Sequence, residues 1–228
     1  MTRLDVLRWV LYGGNRSVDT LTETVLERAH IPQDGHSYVK IFSGNSTAAV
    51  NEVTPFATTT SFCNTTSTAE PSQTTTAPPV MQMAPGSWPT WTLVERYQCD
   101  FGRGVDTPPA TGSNVYNVRV KVCGSGVRED FCRPYPGTSG PIFKPAGLLQ
   151  EYGEVANGIE FGLISGSYDR PRSGGVLRSN VGRISTEVNQ TTGLFIGQTN
   201  GTAGIINTIS RIRSSQYTRD TWQDCNSP

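Results

Sequence analysis

Charge is scarce in this chain. Asp, Glu, Lys and Arg make up 17% of its 228 residues and cancel to a formal net charge of zero. No excess of positive charge is present to draw a phosphate backbone, so nucleic acid is not favoured as a partner. Histidine is limited to His30 and His36, at a spacing that suits neither one helix face nor a ligand pair. No C-x-x-C pair occurs, which argues against a zinc site or a haem attachment. No apolar run approaches the roughly 20 residues of a membrane-spanning helix, and no secretory leader opens the chain. G-x-S-x-G, P-loop, H-E-x-x-H and D-x-D-x-D-G patterns are all missing. Without a catalytic constellation the chain reads as non-enzymatic.

What is present is cysteine, glycine, proline and threonine. The five cysteines are Cys63, Cys99, Cys123, Cys132 and Cys225. Cys123 and Cys132 bracket GSGVREDF, a loop whose glycines let its ends meet, and Cys63 and Cys99 flank a polar stretch. Two disulfides with Cys225 left over account for this pattern, and five reduced core cysteines are the alternative. Bridged cysteines imply export. With no leader, the expectation is an internal piece of a longer precursor.

Along the chain, periodicity predicts a helix over 2–12, capped by Thr2 and stopped by Gly13-Gly14. Leu4, Leu7 and Leu11 share its core face, with Val10 beside them, and Asp5 and Arg8 lie on the wetter side. Residues 15–20 read as a turn, 21–29 as a strand or one to two helical turns, and 37–42 as a strand. Residues 54–89 are rich in Thr, Ser and Pro and read as a long surface loop. Residues 88–98 read as a strand or docking segment. A strand is predicted over 115–122, with Tyr116, Val118, Val120 and Val122 on one face. Pro145 is expected to open a helix running to Gly153. Residues 159–165 read as a strand buried on both faces, 175–184 as its neighbour, and 202–212 as a second amphipathic helix. Asp169 and Arg170 follow a strand end, where ligand sites often lie, although a capped turn before Pro171 reads them as well. Arg170, Arg172, Arg178 and Arg183 form a basic strip or a set of strand-edge charges.

The runs TRLDVLRWVLYGG, LERAHIPQDGHSYVKIF, YNVRVKVC, KPAGLLQEYG, FGLISGSYD and GGVLR, in this order, resemble the N-terminal region of PilY/PilC-type proteins. These are the type IV pilus biogenesis and tip-adhesin proteins of bacteria. The resemblance implies an α/β fold, a partial von Willebrand factor A-like doubly wound sheet with a long, β-rich, disulfide-bearing insertion. Residues 1–12 and 158–228 would be core pieces and 13–157 the insertion. It further implies that Thr202, at the start of the second helix, is the one residue here able to ligate Mg²⁺ or Ca²⁺ in the full-length protein. As a helix N-cap it needs no metal. The implied partners are minor pilins or pilus subunits and a surface or host ligand. The implied location is the periplasm or outer membrane, or the extracellular pilus tip. The implied function is a non-enzymatic interaction domain, with a structural subunit or scaffold of an extracellular filament as the alternative.

Overall fold

The computed structural model describes residues 1–31, 37–65, 78–92, 98–102, 106–126, 128–155, 158–166, 175–196 and 204–212. The chain folds as two compact units, one formed by Met1–Ala29 with Arg119–Ile212 and the other by His30–Val118. Both boundaries fall inside the segment that sequence assigns to an insertion.

The first unit opens with α1 (Arg3–Tyr12). Thr2 accepts from the Asp5 N–H and the Asp5 carboxylate accepts from the Thr2 N–H, a capping box that fixes the helix start. Gly13, at φ 82°, ends it in the left-handed conformation. Residues 15–20 are not a turn: β1 (Arg16–Asp19) pairs antiparallel with β2 (Thr24–Glu27), which pairs with β7 (Arg119–Val122). The hairpin β8 (Cys132–Tyr135) and β9 (Ile142–Pro145) follows. Pro145 therefore closes a strand instead of opening a helix. The helix α3 (Leu148–Gly153) begins only after Gly147, whose N–H is taken by the Gln150 side chain. The strands β10 (Phe161–Gly166) and β11 (Gly175–Gly182) form a second antiparallel hairpin, and α4 (Ile205–Arg211) closes the unit. Tyr12, Tyr135, Leu149, Ile184, Val188, Phe195, Ile205, Ile206 and Ile209 make its core.

The second unit is a four-stranded antiparallel sheet, β3 (Tyr38–Phe42), β4 (Thr60–Thr65), β5 (Val80–Pro85) and β6 (Asn114–Asn117), with the short helix α2 (Thr47–Val53) between its first two strands. Its core joins Cys63, Ala84, Trp91 and Cys99, with Val39, Trp88 and Phe101 packed against it.

One expectation is not confirmed here and three are corrected. The described residues form no doubly wound sheet: all ladders among them are antiparallel, in sheets of two to four strands. The predicted strand over 115–122 is two strands, because β6 and β7 join different sheets on either side of Val118, whose N–H goes to the Pro79 carbonyl. The segment 54–89 is not wholly a loop, since β4 and β5 lie within it. Thr and Ser are at home in strands once their hydroxyls are paired. Here Ser61 donates to the Gly86 carbonyl and Thr60 to the Thr58 carbonyl. Finally, 159–165 is not buried on both faces: β10 alternates, and Ile164 is 71% exposed. Residues 89–92 are turns.

The helices α1 and α3 touch through backbone. A Cβ on Gly147 would meet the Leu11 carbonyl carbon, the Tyr12 nitrogen and the Val10 carbonyl oxygen at 2.5 Å. Gly147→Ala must therefore push the helices apart. It is expected to cost about 1–3 kcal/mol, as overpacking does, which a urea denaturation midpoint would reveal.

Candidate functional site

The helix α1 faces partly the other way from what its sequence suggests, although Leu11 and Tyr12 do pack inward. Arg8 is buried at 3% exposure, while Val6, Leu7, Trp9 and Val10 are between 41% and 46% exposed. The sequence expectation of Leu7 and Val10 inward and Arg8 outward is thereby reversed. The reason is hydrogen bonding. The Arg8 guanidinium donates to the carbonyls of Ile209 (3.4 Å), Ser210 (2.8 Å) and Ile212 (2.7 Å), at the C-terminal end of α4. A cation there also meets the negative end of that helix. Asp5 reaches inward too, accepting the Ala29 N–H at 2.5 Å. Rotating α1 to hide its apolar stripe would break both sets of bonds.

The outward stripe leads into a groove of about 540 Å³ between α1 and α3. Trp9, Val10, Phe131, Ala146 and Leu148 supply its apolar wall, and Asp130 and Glu151 are exposed beside it. Trp9 stands edge-on to Phe131, with ring centroids 6.0 Å apart. Arg133 also borders the groove. Its guanidinium is committed to the Glu154 carboxylate (3.0 Å) and the Gln150 carbonyl (2.9 Å). Glu154 in turn accepts from the Tyr135 hydroxyl at 3.0 Å. Burial lifts the Glu154 carboxyl above its usual range, against the pull of that hydrogen bond and of Arg133. Burial raises the Tyr135 phenol as well.

One disulfide braces the groove. Cys123 is bonded to Cys132, closing the loop that carries Asp130 and Phe131. Glu129 holds this loop from within: its Oε2 accepts the Cys123 N–H at 2.9 Å and lies 3.3 Å from the Cys132 sulfur. Cys63 is bonded to Cys99 in the other unit.

Behind the groove lies a buried ionic cluster. The Arg16 guanidinium donates to both Asp19 oxygens (3.1 and 3.0 Å), to the Gly193 carbonyl (2.8 Å) and to the Pro145 carbonyl (2.7 Å), and it covers the Phe195 ring at 3.7 Å. Lys144 donates to Thr24 Oγ1 at 2.7 Å and to the Thr20 carbonyl, and pairs with Asp19 at 3.1 Å. Burial lowers the pKa of both Arg16 and Lys144, and Asp19 opposes it. Every charge here is paired inward, so the cluster is a structural brace.

The residues singled out by sequence are scattered. Thr202, Cys225, His36, Asp169, Arg170 and Arg172 lie outside the described residues. Arg178 bonds Ser165 Oγ and Arg183 pairs with Glu160, so these two arginines are strand-edge partners. His30 is buried. For a hard cation, the described residues offer one grouping, Cys123, Glu129 and Cys132. Its sulfurs are joined to each other and its carboxylate serves a backbone N–H. One carboxylate does not meet the six or more oxygens that Mg²⁺ or Ca²⁺ takes. Sequence reasoning missed the groove because its wall is drawn from residues 9–10, 131 and 146–148. The one available signal was that LRWVLY carries apolar side chains around more of the helix than a single core face uses.

Comparison with known proteins places the chain. A family model described as "PilY1 homolog, small alpha/beta domain" matches residues 1–84, and one described as "PilY1 homolog, second domain" matches residues 161–227. A curated relative, the type IV pilus biogenesis factor PilY1 homolog of Xylella fastidiosa, is 32% identical over 240 residues. That match takes in 95% of this chain and 16% of the relative. No solved structure matches. The chain belongs to the PilY1-homolog family. It spans about one sixth of its curated relative's length. By its name, that relative is a factor of type IV pilus biogenesis. The two disulfides are consistent with an exported protein. Among the described residues no helix is long and apolar enough to cross a membrane.

Proposed function

We propose that this region is a non-enzymatic interaction domain of an exported, type IV pilus-associated assembly and tip-adhesion protein. The observation that carries the reading is an open apolar groove set on a disulfide-braced frame, in a chain whose family is that of a pilus biogenesis factor. The partners it fits are minor pilins or other pilus subunits, with a surface or host ligand for the adhesive role. A von Willebrand factor A-like relation would make β10 and β11 the antiparallel edge of a larger, otherwise parallel sheet. The outward Ile164, Leu177 and Val181 offer a face that further helices would cover. Any Mg²⁺ or Ca²⁺ of the full-length protein would then be held largely by residues outside this chain.

The test is an in-frame deletion of this region from the full-length protein in its own bacterium. We expect surface pili, counted by electron microscopy, to fall at least tenfold, and co-purification with minor pilins to be lost. Unchanged piliation together with unchanged co-purification would overturn the proposal. Filaments formed by the purified protein without any pilin would favour the scaffold reading instead.

A further inference from the structure

The α1–α3 groove has a chemistry that selects its occupant. A surface helix ordinarily turns its apolar stripe to the core. In α1 Asp5 and Arg8 hold the fold together and Leu11 and Tyr12 turn to the core, while Val6, Leu7, Trp9 and Val10 are left outside. Val6, Leu7, Trp9 and Val10 continue on α3 into Leu148 and Tyr152, both more than 40% exposed. Two short helices thus present one apolar surface with a concave centre.

The charge around that centre is one-sided. Asp130 and Glu151 border the groove and are exposed, whereas the one cation lining it, Arg133, is neutralised by Glu154. An aromatic wall beside carboxylates suits a cation carried on an apolar stem: Trp9 can take the charge over its face and the carboxylates can pair with it. An acidic rim repels the anionic surface of a bilayer and the phosphates of nucleic acid.

We propose that the groove docks an apolar protein segment bearing a lysine or arginine, supplied by another protein, with Trp9, Phe131 and Leu148 as the apolar seat and Asp130 and Glu151 as the charge readers. This deepens the interaction-domain reading and rests on it.

The experiment uses the full-length protein in its own bacterium, with Leu148→p-benzoylphenylalanine as a photo-crosslinker. The expected product is an adduct with a different protein, mapped by mass spectrometry to an apolar stretch containing Lys or Arg. Adding Asp130→Lys and Glu151→Lys together should cut the adduct at least fivefold. The milder pair Asp130→Asn and Glu151→Gln should cut it less. Reversing an exposed charge outside the groove, Glu52→Lys, should leave it unchanged. Retained Cys123–Cys132 bonding, checked by non-reducing peptide mapping, guards against loss of fold.

An adduct within the same chain, with a second copy, or with lipid overturns the proposal. So does no adduct, or one indifferent to charge reversal. These outcomes are separable from failure of the pilus reading. An adduct of the expected chemistry on a protein unrelated to pili keeps the groove and sinks the pilus assignment. A lost adduct with deletion still abolishing pili does the reverse.

Discussion

Replacing Cys63 and Cys99 together by alanine is expected to destabilise the His30–Val118 unit by about 4 kcal/mol. The bond joins residues 36 apart in sequence. Closing a loop of that length removes chain entropy worth about 4 kcal/mol from the unfolded state, against about 3 kcal/mol for the nine-residue separation of Cys123 and Cys132. Both sulfurs are fully buried beside Ala84 and Trp91, so their loss also leaves a void. Few buried apolar residues are available to compensate. The core cluster here has four buried members, two of them the bonded cysteines. Denaturant titration followed through Trp91 fluorescence would measure the loss, and reduction of the parent protein should reproduce it. A change below about 1 kcal/mol would show that the sheet, and not the crosslink, holds this unit.

The Arg16→Met substitution should cost about 3–5 kcal/mol in the other unit, the range found when one member of a buried charge pair is removed. The Arg16 side chain is fully buried, and Met fills much of its volume without its donors. Four acceptor contacts, two on Asp19 and one each on the carbonyls of Gly193 and Pro145, lose their partner at once. Those carbonyls belong to segments more than 100 residues away in sequence, so β1, β9 and the turn before Phe195 would loosen together. Lys144→Met should cost less, because Asp19 keeps Arg16 and the lost partners are a hydroxyl and a single carbonyl. Thermal unfolding of the two variants side by side checks the order. A Lys144→Met protein less stable than Arg16→Met would reject this account of the cluster.

Some of this was legible in the sequence because it is local. The start of α1 needs only Thr2 and Asp5, three residues apart, and its end only Gly13. The neighbours β10 and β11 announce themselves as short apolar runs, and the helix α4 by the spacing of Ile205 and Ile209. The family likeness rests on the order of short runs, which a chain carries whether folded or not. The direction in which α1 faces was not legible. Periodicity counts apolar side chains and sends them inward, but here the carbonyls at the end of α4 needed a donor and Arg8 was the side chain that reached them. Residues 54–65 misled for a similar reason: composition marks Thr and Ser as loop formers, but the backbone of Thr60–Thr65 is paired on both sides, by β3 and β5.

By itself, then, the chain's order of residues determined where several elements begin and end, and its kinship. Tertiary structure alone decided which face of α1 meets water, that Asp19 sits between Arg16 and Lys144, and that Trp9, Phe131 and Leu148 share one wall. Short-range caps and periods are properties of neighbours along the chain. Buried charges and grooves are set by which distant groups can satisfy one another once water is gone.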